Sequence, residues 1–344
     1  MKSIAENIEN VNLETTRGTG EILQDFSTTG KERPWKLHKR ENLRLVEIYK
    51  MTKEKKLNLI SDSRLFDLEH CADTLLFMQN AEGKKKLKSA NFCRLRLCPM
   101  CQWRRSLKMF GQVKKITDKI LESDKSIRFI FGTFTIKNCD AQNLETCIDI
   151  LNNKFLYLVS KNKTFAPAKK LKQNLLGYLK AVEVTYNTKD KTYHPHLHVI
   201  FAVRNTFFSS SKYYMSKKEW INLWQQALGV DYKPQIDIRA IKSGTAGTAK
   251  AVAEVAKYPI KTAPILKLDD DEAVEVLKTL TMSLNKKRFV AYGGIFKTVK
   301  QELKFQDVET DKDLVNVDTE QQERFNAVTA VLFKYNFRFG LYIC

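Results

Sequence analysis

The sequence predicts an α+β fold in which a central antiparallel sheet carries helices on its faces and follows a small metal-binding module. Three observations lead there. After residue 123, apolar β-type runs are separated by helical stretches and include one hairpin signal. Four cysteines fall between Cys71 and Cys101. Hydrophobic residues make up 43% of the 344 positions, enough for a sizeable core.

In chain order, residues 1–33 are polar, with Gly18, Gly20 and Gly30, and read as a flexible leader. Residues 34–122 read as a basic helical region holding the cysteines: a charged helix from Trp35 to about Leu57, the cluster itself, then a basic amphipathic helix from Trp103 to Leu121. The run Ile127 to Ile136, rich in Ile, Phe and Thr, suits a buried strand. Residues 142–160 and 167–176 read as helices. Two β-type runs, Gly177 to Tyr186 and Tyr193 to Val203, flank the polar bridge Asn187-Thr188-Lys189-Asp190-Lys191 and form a hairpin. A helix over 216–228 carries Trp220 and Trp224, a strand covers Ile236 to Ile241, and a helix covers Thr248 to Tyr258. Asp269 to Glu272 reads as a solvated helix start. Residues 123–316 thus form one domain and 317–344 a tail, whose segment Phe325 to Cys344 reads either as a packed strand or as a tail of altered frame.

Lys and Arg total 59 against 39 Asp and Glu, a net charge of +20. That excess suits a phosphate-rich partner, because each phosphate contact releases condensed counterions. No apolar run is long enough to span a membrane, and Met1 to Asn12 has no apolar centre. The chain is therefore read as cytoplasmic, with no membrane partner. Seven cysteines, an odd number, argue against a disulfide framework.

Three of the five histidines lie in His194-Pro195-His196-Leu197-His198. On a strand His196 and His198 share a face, where two imidazoles can bind one divalent ion; the alternative is a polar sheet face of solvated histidines. If the turn centres on Lys189 and Asp190, Glu183 faces His196 across the hairpin and becomes the candidate third ligand. Two imidazoles and a carboxylate suit Mg²⁺ or Mn²⁺, and a catalytic Zn²⁺ is chemically open. His194 is a weaker candidate. Cys71, Cys93, Cys98 and Cys101 supply the four thiolates of a structural Zn²⁺ site, with buried free cysteines as the alternative. Arg94, Arg96, Arg104 and Arg105, with Lys84, Lys85, Lys86 and Lys88, form a basic surface beside it, proposed to position phosphates.

In Lys250 to Lys261, Glu254 and Tyr258 are four residues apart and share a helical face, and Pro259 marks the helix end. A phenol so placed can act as a nucleophile if positive charge lies near, and Lys257 and Lys261 supply it. Glu254 can serve as a general base. Taken alone, the helix fits better an amphipathic end with a packed Tyr and a solvated Glu.

The element His196-Leu197-His198 is similar to the His-hydrophobic-His motif of the HUH endonuclease superfamily. Together with Ala253-Glu254-Val255-Ala256-Lys257-Tyr258-Pro259-Ile260-Lys261 it resembles the rolling-circle replication initiators of small Gram-positive plasmids, Rep type 1. Further matching elements are Cys98-Pro99-Met100-Cys101-Gln102-Trp103-Arg104-Arg105, Glu183-Val184-Thr185, the Trp220/Trp224 helix and Tyr292-Gly293-Gly294, in the family's order from about Arg33 to about Asn316. The strand Phe131 to Ile136 resembles the family's first motif. The resemblance implies an HUH-endonuclease-like fold and a metal-dependent nickase at the plasmid double-strand origin, exposed as single-stranded or hairpin DNA. It implies Tyr258 as nucleophile forming a 5′-phosphotyrosine, Glu254 in hydrolytic termination, His196 and His198 as metal ligands, and a host helicase and polymerase as partners. A relaxase or transposase of the same superfamily remains open, as does a zinc-containing regulator that binds DNA without cutting it; a homodimer is left open.

Overall fold

The computed structural model describes residues 15–16, 20–27, 29–160, 166–241, 245–257, 260, 262–317 and 325–344. The chain divides into two compact units. The first comprises Met1–Gly111, Leu266–Val274 and Asp311–Cys344; the second comprises Gln112–Ile265 and Glu275–Thr310.

The second unit holds the expected antiparallel sheet. Strands β4 (Arg128–Thr135), β5 (Leu175–Asn187), β6 (Thr192–Val203), β7 (Ile236–Ala240) and β8 (Val290–Gly294) lie in the order β7-β4-β6-β5-β8, every pair antiparallel. Helices α4 (Leu144–Val159), α5 (Ala166–Asn174), α6 (Thr206–Ser209), α7 (Lys217–Leu228), α8 (Thr245–Val255), α9 (Thr262–Ile265) and α11 (Ile295–Glu302) connect or cover these strands. The capping box between Ser216 and Glu219 starts α7 and Gly229, in the left-handed conformation, ends it. One sheet face is apolar and aromatic: Phe134 and Phe201 pack with Trp220 of α7, Phe134 also with Trp224, and Phe155 of α4 stacks on Phe201. Trp224 Nε1 donates to the Thr135 carbonyl at 2.8 Å, so α7 holds β4 by a directed bond as well as by burial. On the opposite face Phe296 of α11 meets Phe129, and α8 packs against β6. Lys180, on the apolar face, is buried with its Nζ bonded to Asn152 Oδ1 at 2.5 Å, and burial pushes its pKa down to about 8, with Arg288 adding to the effect.

The first unit has a sheet of its own, which the expected single central sheet did not include. Strands β1 (Thr15–Thr16), β2 (Thr74–Asn80), β3 (Lys85–Ala90), β9 (Ala327–Asn336) and β10 (Leu341–Ile343) run β1-β9-β2-β3, with β10 pairing to β9. Helices α1 (Trp35–Glu54) and α2 (Asp62–Glu69) belong to this unit, α3 (Pro99–Ser123) begins in it, and α10 (Asp270–Ser283) starts in it. The cysteines are therefore part of a mixed α/β unit, not a small module standing before the sheet.

Two boundary expectations are corrected. Among the described residues, 20–33 are anchored rather than leader-like: Asp25 accepts from Trp35 Nε1 at 2.8 Å, Leu23 is buried and Ile22 bridges Ile343. Buried Trp35 offers an indole N–H that must find an acceptor, and that requirement ties the segment down. The segment 325–344 is a packed hairpin whose first strand sits between β1 and β2, so the tail expected over 317–344 is structural over its described part. Among the described residues no helix is long and apolar enough to cross a membrane.

Candidate metal centres

The hairpin register pairs Glu183 with His196 and Ala181 with His198, while β4 sets Thr133 beside His198. Alternation along β6 then puts His194, His196 and His198 on one face with Glu183 among them. Glu183 is 3% exposed and its Oε2 lies 2.9 Å from His198 Nε2 and 3.6 Å from His196 Nε2. His196 Nδ1 faces the His194 carbonyl at 3.2 Å. A carbonyl only accepts, so His196 Nδ1 donates to it, and Nε2 is the ring atom turned toward the carboxylate. Glu183 Oε2 and the Nε2 atoms of both rings thus converge on one buried spot, a donor set that suits a cation. The three donors all lie within 4.8 Å of one another. Bonds of about 2.1 Å to one ion would separate neighbouring donors by roughly 3.0–3.4 Å, so residues and spacing fit a divalent metal. The bond between His196 and a carbonyl is the kind that orients metal-binding imidazoles.

Around this group, Phe131 stacks on His198 with ring centres 5.6 Å apart, and Thr133 Oγ1 lies 3.2 Å from His198 Nδ1. His194 lies outside the three-donor group; its Nδ1 is 2.6 Å from Asn138 Oδ1, and burial, reinforced by His196, holds its pKa below the ordinary value. Asn138 gave no signal in the sequence, because its loop meets the hairpin only in the folded chain, through the bridge from Cys139 to Tyr193 and its own bond to Thr192. Glu254 is half-buried on α8 and pairs with Lys257 at 2.5 Å. Tyr258 and Lys261 lie outside the described residues. Ile260, two positions after Tyr258, is bridged to Val184, the neighbour of Glu183.

The second centre is in the first unit. Cys71 and Cys93 lie on loops around the β2–β3 hairpin, Cys98 immediately precedes α3 and Cys101 is on its first turn. All four are buried. Sulfur–sulfur distances are 3.7 Å for Cys71–Cys101, 3.6 Å for Cys93–Cys101 and 3.7 Å for Cys71–Cys98. A disulfide would need about 2.05 Å, whereas a tetrahedron of 2.3 Å bonds to zinc has edges of about 3.8 Å. Backbone N–H groups point at the sulfurs, Arg94 to Cys101 at 3.2 Å, Cys93 to Cys71 at 3.3 Å and Leu95 to Cys93 at 3.4 Å, and Asn42 Nδ2 reaches Cys98 at 3.5 Å. Such donors stabilise thiolate charge. Burial, with Cys101 adding to it, pushes the Cys71 and Cys93 thiols well up, which a bound cation would offset. The donor set and spacing fit zinc; Asn42, 29 positions before the first cysteine, is the one partner the sequence did not suggest.

The proposed basic surface is corrected in part. Arg104 is 2% exposed; it donates to the carbonyls of Leu314 and Val315 and lies over Trp35 and Trp103. Arg105 is 5% exposed and donates to the carbonyls of Arg94 and Leu95. Both are buried scaffold, because a guanidinium has donors enough to collect loop carbonyls in the interior. Arg94 is exposed and Arg96 half-buried. The lysines of β3 occupy a sheet edge, where charge also blocks pairing with another strand.

The replication-protein family matches residues 84–343. "Protein rep" of Lactiplantibacillus plantarum is 37% identical over 92% of this chain and 97% of its own length. "Protein rep" of Streptococcus pneumoniae serotype 2 is 37% identical over 90% of this chain and 92% of its own length, and that of Bacillus amyloliquefaciens is 34% identical over 90% and 94%. No solved structure matches the chain.

Proposed function

This chain belongs to the replication-protein family of plasmid replication initiators, and on that premise we propose that it nicks one strand of the plasmid double-strand origin through a covalent 5′-phosphotyrosine. The observation that carries the reading is the convergence of Glu183, His196 and His198 beside Val184, to which the segment just after Tyr258 is bridged. The sheet is read as HUH-type on the same ground.

In this reading Tyr258 Oη attacks the scissile phosphorus. A tyrosyl O–P bond forms as the P–O3′ bond breaks, the phenol gives up its proton, and the departing 3′-oxygen takes one up. The free 3′-hydroxyl primes synthesis by host polymerase with a host helicase, and the retained phosphodiester energy allows rejoining. Glu254, held by Lys257, takes a proton from the water that ends the round by hydrolysis. Glu183, His196 and His198 hold Mg²⁺ or Mn²⁺, which when bound supplies positive charge to the scissile phosphate. Thr133 and the His194 carbonyl fix the two rings that hold it. Cys71, Cys93, Cys98 and Cys101 hold structural zinc, and Arg94, Arg96, Lys257 and Lys261 contact phosphates.

Supercoiled origin plasmid incubated with the protein and Mg²⁺ or Mn²⁺ should become open circle, and Tyr258→Phe should abolish this while origin binding persists. Mass spectrometry should find an origin oligonucleotide joined to the Tyr258 peptide. Nicking by Tyr258→Phe at the normal rate refutes the nucleophile. Binding without any open circle from the unaltered protein identifies a non-cleaving regulator instead.

A further inference from the structure

The β9–β10 turn, Asn336-Phe337-Arg338-Phe339-Gly340, breaks the usual chemistry of turns. Small polar residues normally fill such positions, yet Phe337 is 60% and Phe339 62% exposed. The turn is nevertheless pre-set. Asn336 Oδ1 accepts from the N–H groups of Arg338 and Phe339 at 3.0 and 3.1 Å, the Gly340 N–H bonds the Asn336 carbonyl at 2.8 Å, and Gly340 has φ +64°. Its stem is anchored: Tyr335 N–H donates to the Asp73 carbonyl and Tyr342 Oη to the Ala72 carbonyl, both at 2.8 Å. Phe337 meets Tyr335 edge-on at 5.3 Å, and the Arg338 guanidinium lies 5.7 Å from the Phe339 ring.

The surrounding charge is positive. Lys334, Arg338 and Arg40 are exposed, and Arg40 is near enough to be felt at the Tyr335 hydroxyl. Buried Lys39 lies 5.8 Å from the Phe337 ring. Asp73, the acid of this neighbourhood, is paired with Lys39 and His70. Two exposed aromatic rings on a hydrogen-bonded turn, with interleaved cations, form the arrangement that takes unpaired nucleobases by stacking and their phosphates by charge.

We propose that this turn is a binding site for single-stranded DNA, in which Phe337 and Phe339 stack on unpaired bases and Arg338 meets a backbone phosphate. The proposal rests on DNA being the partner of this chain, not on the nicking chemistry.

The test uses the full chain with no divalent ion added, so that cleavage does not enter. Fluorescence anisotropy measures a fluorescein-labelled single-stranded oligonucleotide and the same sequence as duplex. Phe337→Ala/Phe339→Ala should weaken single-strand binding at least about 25-fold, about fivefold for each lost ring, with duplex affinity changed less than about threefold. Replacement of both rings by Trp should keep single-strand binding and replacement by Leu should lose it. Arg338→Ala should lower the slope of log affinity against log salt by about 0.7. Side chains this exposed leave the melting temperature unchanged, which circular dichroism checks. Unaltered single-strand affinity in the double Ala variant, equal losses for duplex and single strand, or full binding by the Leu variant overturns the site. Failure of the unaltered protein to bind either DNA overturns the DNA reading itself.

Discussion

Replacing Cys71 by serine is the sharpest probe of the first unit. Cys71 is fully buried and its sulfur lies 3.7 Å from two of the other three sulfurs. The hydroxyl of serine is far less acidic than a thiol, so the substitution leaves three thiolates for an ion that needs four. The magnitude follows from linkage: with free zinc about a thousandfold above its Kd, a bound ion adds about 4.1 kcal/mol to stability. For a folding unit of 150–250 residues each kcal/mol moves Tm by roughly 2–4 °C, so loss of the ion should lower the transition by about 8–16 °C. Metal analysis of the purified protein should give one zinc per chain, and none for Cys71→Ser. Thermal melting followed by circular dichroism, with and without a chelator, should show the chelator lowering the transition of the unaltered protein by that amount and leaving the variant unmoved. A thiol reagent should find Cys71, Cys93, Cys98 and Cys101 inert until the chelator is added. Protein that purifies without zinc and melts identically with chelator, or a variant that keeps its zinc, would refute the four-thiolate site.

Other expectations are equally direct. His196→Asn should leave the melting temperature within a few degrees and reduce open-circle formation by at least about a hundredfold, since an imidazole that holds the ion is lost; a normal nicking rate would remove His196 from the site. Trp224→Phe deletes the indole donor to Thr135 and part of a buried ring, and should destabilise by about 1–3 kcal/mol in urea unfolding. Arg104→Ala should destabilise by about 3–5 kcal/mol yet leave the salt dependence of DNA binding unchanged, whereas a lowered salt slope would show that it contacts phosphate after all. For Lys180, with a folded pKa near 8 against 10.5 for a free lysine, the unfolded chain holds the extra proton between those values, so this group's contribution makes stability rise with pH across that window. Lys180→Met should therefore be more stable than the unaltered protein at pH 7, by up to about 3 kcal/mol, with the difference shrinking as pH climbs past 8; a difference independent of pH would contradict the assignment.

The second unit was legible because its signals are local. The bridge Asn187–Lys191 closes a hairpin whose strands alternate cleanly, and counting back from the turn places Glu183 opposite His196, the register observed. Strands β2, β3 and β8 carry no such signal. Lys85–Ala90 is mostly lysine and serine, and the apolar residues of Thr74–Asn80 are as compatible with a helix. In β8 the reason for Gly293 and Gly294 appears only after pairing with β5: a Cβ on Gly294 would lie 2.2 Å from the Leu176 carbonyl oxygen, at φ +56°. The two buried arginines misled because a charged residue in a basic stretch reads as surface; the acceptors of Arg104, the carbonyls of Leu314 and Val315, are about 210 positions away, and those of Arg105, the carbonyls of Arg94 and Leu95, converge on it only in the folded loop. The four thiols were read from spacing, but Asn42 could be found only once α1 was packed.

The middle strand of the first sheet, Ala327–Asn336, lies far along the chain from β1 and β2, the strands it joins. β9 pairs with both β1 and β2, and β10 completes the edge. A nascent chain on the ribosome can finish the second unit by Thr310, while the cysteine-bearing unit waits with an open slot where Ala327–Asn336 belongs. Loss of residues 325–344 would therefore spare the histidine hairpin and strip the other half of its central strand. That half is sound only once Thr74–Asn80 and Ala327–Asn336 have met.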